Sequence, residues 1–142
     1  MLRVKHLLGT KGSEVWSIEP EEPVLRAIQI MADRHVGALP VVRDAELVGV
    51  ISERDYARKV ILLGRSSAET PVWQIMTSPV ITVSPDDTVH SCMELMTERR
   101  IRHLPVVEKT KLVGIVSIGD LVRSVIDDQQ HTIDQLEKFI AG

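Results

Sequence analysis

The chain has 142 residues, a net charge of −3 and a hydrophobic fraction of 44%. This length suits one compact domain, or two half-domains that share a core. The slight negative charge gives no general reason to expect a nucleic-acid or membrane-surface partner. One cysteine excludes an intramolecular disulfide, and no apolar run approaches the ~20 residues that cross a bilayer. We therefore expect a cytoplasmic or otherwise reducing location, with neither nucleic acid nor membrane as a partner.

The first predicted elements are a short helix, a strand and a longer helix. Residues 1–14 form an N-terminal segment with a short helix at 4–8. Residues 15–18 are predicted to form a strand, because β-prone apolar residues alternate there. Pro20 and the acids after it are expected to open a helix, since proline tolerates the first turn and carboxylates suit its positive end. The apolar face of that helix has i, i+3, i+4, i+7 spacing and comprises Val24, Ala27, Ile28 and Met31.

A hairpin and a second helix complete the first unit, residues 15–61. Residues 37–42 are predicted to form an apolar strand, and residues 47–52 its partner across a polar turn. The pattern Ser-x-x-Asp at 52–55 is expected to begin the last helix. The predicted order of the unit is therefore β-α-β-β-α.

The same unit occurs twice. A linker, residues 62–79, contains a short predicted helix at 70–76 and separates the first unit from the second, residues 80–126. The two units align over 47 positions without a gap, and seventeen of these positions are identical. Two copies are too few for a solenoid, so we predict a closed pair with pseudo-two-fold symmetry and a shared interface.

The last helix is predicted to be unusually long. It begins near Asp120 and runs to about Ile140, so that residues 127–142 form a C-terminal extension. This helix either packs against a partner subunit or overhangs its own module. Its apolar stripe comprises Leu121, Val122, Val125, Ile126, Ile133, Leu136 and Ile140.

The repeated motifs resemble those of the CBS domain family. Both units carry Leu-Pro-Val-Val, then Leu-Val-Gly, then Ser-x-x-Asp, in the family's order. The tandem pair is similar to a Bateman module. The stretches 52–59, 64–67, 75–77 and 96–103 are similar to small stand-alone CBS-pair proteins of bacteria and plant organelles. The resemblance implies an α+β fold of two CBS units packed with pseudo-two-fold symmetry, plus a long C-terminal helix.

The same resemblance implies a regulatory function. Such modules bind adenine nucleotides, here AMP, ATP or NAD(H), form homodimers, and modulate an effector protein that this chain does not contain. An alternative is a protein-interaction module, for example a regulator of a redox partner, whose ligand clefts are vestigial. The sequence contains no Gly-rich phosphate loop, nucleophile elbow or metal-binding cluster. We therefore predict that the protein is not an enzyme and that it has no catalytic residue and no metal site.

Three residue types make the chemical case for a nucleotide site. A carboxylate at the start of a helix, Asp55 or Asp120, can accept two hydrogen bonds from a ribose diol. A neighbouring hydroxyl, Ser52 or Ser117, can contact ribose or phosphate, although Ser-x-x-Asp is also a helix-capping signature. Arginine binds phosphate bidentately. The candidate cations are Arg54, Arg102 and His103.

Transfer of the CBS pattern by motif position implies two clefts between the units. In the first cleft, Ser117 and Asp120 serve the ribose and Arg102 the phosphates, and Gly119 precedes Asp120 in the site. The adenine lies against Ser17, Ile18, Val36, Gly37, Ala38 and Pro40. In the second cleft, Ser52, Arg54 and Asp55 serve ribose and phosphate, while the adenine lies against Thr82, Val83, Ile101, Arg102, His103 and Pro105. Because Gly37 and Ala38 are small, the first cleft is predicted to be open. Because Arg102 and His103 are bulky and basic, the second is predicted to be cationic and crowded.

Overall fold

The secondary structure follows the duplicated pattern. A computed structural model describes residues 1–11 and 15–141. Residues 12–14 of the predicted N-terminal segment and residue 142 of the predicted extension lie outside the described residues. The described helices and strands are α1 (Val4–Lys11), α2 (Val24–Arg34), β1 (Ala38–Arg43), β2 (Glu46–Ser52), α3 (Glu53–Tyr56), α4 (Val89–Arg99), β3 (His103–Glu108), β4 (Lys111–Ser117) and α5 (Ile118–Ala141). A π-helical turn, Ala57–Ile61, extends α3, and a 3₁₀ turn occupies Val72–Gln74.

Each unit contains one antiparallel hairpin, as predicted. Strand β1 pairs with β2 and β3 pairs with β4, with the same register and with a bulge at the same place in both hairpins. The two turn residues have positive φ in each case, Asp44 and Ala45 in the first hairpin and Lys109 and Thr110 in the second. This is the turn geometry whose twist matches a tight hairpin. The helices and these two small sheets confirm the α+β class.

The predicted opening strands are much shorter than expected. Ile18 and Val83 each form a single parallel bridge, to Val41 and Val106 respectively. A parallel ladder needs an N–H donor two residues further on, where each unit has a proline, Pro20 or Pro85. Because proline has no N–H, the pairing stops after one bridge.

The helices after these bridges begin later than predicted. Helix α2 starts at Val24 and α4 at Val89, so the acids expected in their first turns precede the helices instead. Pro23 is extended and occupies the N-cap of α2. At α4 the N-cap is Thr88, whose Oγ1 accepts the Ser91 N–H at 3.0 Å. A capping hydroxyl or an extended proline determines which residue begins the helix. The preference of acidic side chains for a helix N-terminus is weaker and does not determine the first residue.

The segment before each unit packs on the opposite unit. Helix α1 precedes the first unit but buries Val4 and Leu7 in the core of the second, against Leu104 and Leu121. The linker turn precedes the second unit but buries Val72 in the core of the first. Each unit is therefore completed by a segment that the repeat alignment leaves outside it.

Backbone hydrogen bonds show that α1 and the linker turn are structural counterparts, as predicted for residues 4–8 and 70–76. The Val4 N–H donates to the Asp87 carbonyl at 2.9 Å, and the Val72 N–H donates to the Glu22 carbonyl at 2.9 Å. Both acceptors lie in the turn that precedes the unit's first helix. The two cores thus have equivalent closing contacts.

Helix α5 runs from Ile118 to Ala141, close to its predicted length. Within this range Leu121 is the buried residue, and the second half of the helix is exposed. Among the described residues, no helix is both long and apolar enough to span a membrane.

Because α1 packs on the core of the second unit, we predict that α1 stabilises the protein although it lies outside both repeats. Val4→Ala removes two methyl groups from a fully buried side chain and should lower the free energy of unfolding by about 2 kcal/mol. Val72→Ala should cost a similar amount. Urea denaturation measures both, with Leu62→Ala as the control because the Leu62 side chain is exposed. A Val4→Ala value equal to that of the control would contradict the packing of α1.

Candidate functional site

Both Ser-x-x-Asp elements form capping boxes. In the first unit the Asp55 N–H donates to Ser52 Oγ at 3.1 Å, and the Ser52 N–H donates to Asp55 Oδ2 at 3.0 Å. In the second unit the Asp120 N–H donates to Ser117 Oγ at 3.1 Å, and the Ser117 N–H donates to Asp120 Oδ2 at 2.8 Å. The capping interpretation is therefore realised at both positions. It also fixes both carboxylates at the start of a helix.

Most hydrogen-bond acceptor sites of the Asp55 carboxylate are already occupied. Its Oδ2 also accepts the Ser52 hydroxyl at 3.0 Å, and its Oδ1 lies 3.3 Å from Lys59 Nζ. A carboxylate has about four lone-pair sites, so about one remains, on Oδ1. Asp55 can accept one hydroxyl of a ribose diol in this arrangement, and the predicted pair of hydrogen bonds needs Lys59 to move.

The larger of two described cavities lies between the units and has a volume of about 680 Å³. Its walls come from β2 and α3 of the first unit, from the linker, and from the corner between α4 and β3 of the second. The residues that line it are Gly37, Val50, Ser52, Glu53, Arg54, Asp55, Arg58, Lys59, Thr77, Pro79, Val80, Ile81, Arg100, Ile101, Arg102, His103 and Pro105.

The larger cavity has a local excess of positive charge. Two carboxylates, Glu53 and Asp55, line it, whereas the lysine and arginine residues of its lining are Arg54, Arg58, Lys59, Arg100 and Arg102. The chain as a whole has a net charge of −3. Positive charge gathered in a concave site within an acidic protein favours an anionic ligand.

A hydrogen bond from the Arg54 side chain crosses the larger cavity. Arg54 Nη1 donates to the carbonyl oxygen of Arg100 at 3.3 Å, which joins the first unit to the second. Arg100 ends α4 in the left-handed conformation, with φ of 54°. The position equivalent to Arg54 in the second unit is Gly119, which has no side chain for the reciprocal bond to His35.

The smaller cavity, about 260 Å³, lies near the predicted first cleft. Trp16 occupies the place that Ile81 has in the larger cavity, and the Arg34 guanidinium stacks on its ring, 3.6 Å from the centroid. The Leu8 side chain of α1 packs against the backbone of Gly114. These groups narrow the smaller cavity. The prediction that the first cleft is the open one stays a prediction.

Both units match one known protein family. The sequence profile of the CBS domain matches residues 6–61 and again residues 72–127. The chain belongs to the CBS domain family. Stand-alone CBS-pair proteins are regulatory or signal-transduction modules rather than enzymes.

Relatives of this CBS pair include both plant and bacterial proteins. The chain is 43% identical over 136 residues to the CBS domain-containing protein CBSX3, mitochondrial, of Arabidopsis thaliana. That match covers 92% of this chain and 66% of CBSX3, so this chain spans slightly less than two thirds of that relative.

Two solved structures resemble this one over nearly their whole length. The CBS domain structure named NE2398 has a TM-score of 0.83 and 47% identity, covering 87% of this chain and 97% of that one. A putative signal-transduction protein with CBS domains from Burkholderia ambifaria has a TM-score of 0.85 and 46% identity, covering 89% and 96%. These matches confirm the predicted fold of the CBS pair.

The structure distributes the predicted site residues over three places. The larger cavity contains Gly37, Ser52, Arg54, Asp55, Ile101, Arg102, His103 and Pro105. The smaller cavity contains Val36 and Ala38. The remaining residues line neither of these two cavities: Ser17, Ile18, Pro40, Thr82, Val83, Ser117, Gly119 and Asp120. Their contacts with a ligand stay predictions.

Three placements differ from the two-cleft scheme. Gly37, predicted for the first cleft, lies in the larger cavity, where a Cβ would come within 3.0 Å of Glu53 Oε1 and 3.3 Å of His103 Nε2. Ile18 and Val83 point into the two cores instead of a cleft. The N–H groups of Ile18 and Val83 already donate to backbone carbonyls in the parallel bridges, so they are not available to read an adenine edge.

Sequence reasoning missed several lining residues. Arg58 is four residues after Arg54, so helical spacing could have predicted that both side chains lie on the same face. Arg100 caps the end of α4, and its role in the lining depends on how closely the units approach. The linker residues Thr77 and Pro79, and Val80 and Ile81 at the start of the second unit, carry no local signal of a cavity wall. Within residues 1–11 and 15–141, no cluster of His, Cys, Asp and Glu side chains could hold a metal ion.

The capping boxes predict a stability effect that is independent of any ligand. Ser117→Ala removes the acceptor for the Asp120 N–H and should lower the free energy of unfolding by about 1 kcal/mol. The matched control is Ser17→Ala at an exposed position. Thermal or urea denaturation without ligand measures both variants, and equal stabilities would show that the Ser117 cap contributes nothing.

Proposed function

We propose that the larger cavity binds an adenine nucleotide, such as AMP, ATP or NAD(H), and that its occupancy regulates a separate effector protein. The observation that carries the proposal is the cationic wall of a cavity built from both CBS units. The cavity volume, about 680 Å³, falls within the range of roughly 300–1,000 Å³ usual for small-molecule sites.

The chemistry of the lining suits the three parts of a nucleotide. An apolar wall is available for the base, in Val50, Val80, Ile81, Ile101 and Pro105. The arginines suit phosphate, because their planar forks bind it bidentately. The remaining lone pair of Asp55 Oδ1 can accept a ribose hydroxyl.

Regulation would follow from ligand contacts with both units. A ligand shifts a conformational equilibrium only by its different affinity for the two states. A phosphate competes with the Arg100 carbonyl for Arg54, and the charged acceptor forms the stronger hydrogen bond. Binding would thus replace a direct link between the units by a bridge through the ligand, which changes the preferred angle between them.

Calorimetry on nucleotide-free protein tests this proposal. The protein is unfolded, dialysed and refolded to remove any bound ligand, then titrated with AMP, ATP and NADH. Saturable heat with at least one of them is expected. No heat with any of the three, from protein that retains its native circular dichroism, would refute nucleotide binding.

A charge-matched pair of variants tests the phosphate wall. Arg102→Ala removes a lining cation and should weaken nucleotide binding about 10- to 100-fold, the value of a charge-assisted hydrogen bond. Arg99→Ala makes the same change in charge at the last residue of α4, which does not line the cavity. This variant should leave nucleotide affinity nearly unchanged. Binding of uncharged adenosine should be similar in both variants. Equal losses in both would indicate only a general electrostatic effect.

The smaller cavity, narrowed by Trp16, Arg34 and Leu8, favours a second candidate function. If the clefts are vestigial, the CBS pair acts as a protein-interaction module, for example on a redox partner. Control of the partner would then survive Arg102→Ala. Under the nucleotide proposal, the response of the partner to nucleotide would be lost together with nucleotide affinity.

The single cysteine limits how a redox partner can act on this chain. Cys92 is fully buried in the core of the second unit, and burial, with the nearby Asp87 charge, raises the pKa of its thiol. Because the thiolate is the reactive form, a redox partner would have to act by non-covalent contact.

The buried thiol predicts a measurable difference in reactivity. Near neutral pH, Cys92 of the folded protein should react with Ellman's reagent at least about tenfold more slowly than the thiol in urea. Since the pKa is raised in the fold, the folded rate should begin to rise only above the pH at which the unfolded thiol titrates. Equal rates in native buffer and in urea would contradict this and reopen thiol exchange.

A further inference from the structure

Helix α5 continues beyond the core that it closes. Leu121 is buried and Val125 packs at the edge of the core of the second unit. From Ile126 onward the large apolar side chains are exposed, including Ile133 at 47% and Leu136 at 57%. About half of the helix thus presents an apolar stripe that the described chain does not cover.

The spacing of this stripe is that of a two-stranded coiled coil. The sequence Val122, Ile126, Gln129, Ile133, Leu136, Ile140 advances by alternate steps of four and three residues. This average of 3.5 residues keeps a seam facing a partner helix along its whole length. Gln129 is the polar member of the seam, and a polar seam position is a usual determinant of register. The face therefore suits another helix with the same spacing.

The charges on the flanks of α5 fit a second copy in antiparallel orientation. When Ile126 lies opposite Leu136 of the second copy, Gln129 meets Ile133 of that copy, and every seam position has a partner. The same alignment places Arg123 beside Glu137 of the second copy, and symmetry forms this pair twice. A parallel alignment would instead place Arg123 beside Ile118, so neither Arg123–Glu137 pair would form. Antiparallel helices also oppose their dipoles favourably.

We propose that α5 forms an antiparallel two-stranded interface with α5 of a second copy of this chain. This goes beyond nucleotide binding, because it assigns the surface and the orientation of a homodimer without using either cavity. The seam and the Arg123–Glu137 pairs determine the register. The acidic residues Asp127, Asp128 and Asp134 lie off the seam and stay in solvent.

Measurement of oligomeric state on the full chain tests the surface. Light scattering after size exclusion should give a dimer, and Ile133→Glu should weaken dimerisation at least ~100-fold by burying a charge in the seam. The matched control His131→Glu introduces the same charge on the opposite face and should remain a dimer. Ile133→Ala is a milder variant, expected to weaken dimerisation about tenfold. The urea midpoint at equal subunit concentration shows whether the monomeric units stay folded.

Charge exchange tests the orientation. Arg123→Glu and Glu137→Arg should each weaken the dimer, and the double variant should restore it, because both pairs are re-formed with reversed sign. Cysteine cross-linking gives a second readout: Leu136→Cys should not cross-link to itself in an antiparallel dimer. Efficient self-cross-linking, or failure of the double variant to recover, would overturn the orientation. A monomeric parent chain, or an Ile133→Glu variant that dimerises normally, would overturn the interface itself.

Discussion

The architecture depends on the exchange of closing segments between the two units. Val4 and Leu7 close the core of the second unit, and Val72 and Ile75 close that of the first. The chain must therefore pass between the units twice, so neither can move far without disturbing the other's core. This constraint also explains why the larger cavity has linker residues in its wall. The backbone that completes one core continues directly past the opening between the units.

Duplication of the framework has not produced two equivalent sites. The hairpin registers are the same in both units. The hydrogen-bond lengths of the capping boxes and parallel bridges agree to within 0.2 Å. The differences are in single side chains at matched positions: Trp16 against Ile81, Gly37 against Arg102, and Arg54 against Gly119. Trp16 narrows the smaller cavity, and Arg54 provides a link across the larger one. These wall differences come from side chains. The backbone differs mainly in the last helix, which is a short helix with a π-helical turn in the first unit and a 24-residue helix in the second.

Local features of this fold could be predicted from sequence, whereas the shape of the cavities could not. The repeat, the two hairpins and the long last helix follow from periodicity and turn chemistry. The opening strands were predicted too long, because β-propensity does not take into account that Pro20 lacks the N–H that the next ladder hydrogen bond needs. The openness of each cleft was judged from residue size alone. It depends instead on how Trp16 and Arg34 stack, and on the placement of Gly37 opposite His103, which only the approach of the two units determines.

The exchanged segments determine how this protein can be divided. A fragment cut at the repeat boundaries, such as 1–61, would retain α1 without the core that α1 covers. It would also lack Val72 and Ile75, which its own core needs. A fragment spanning 15–77 would contain every segment that closes the first unit. The first unit therefore corresponds to a stretch of sequence that starts with its repeat and ends beyond it, whereas the second unit needs a segment from the other end of the chain. Dissection, permutation or fusion should respect those limits rather than the repeat boundaries.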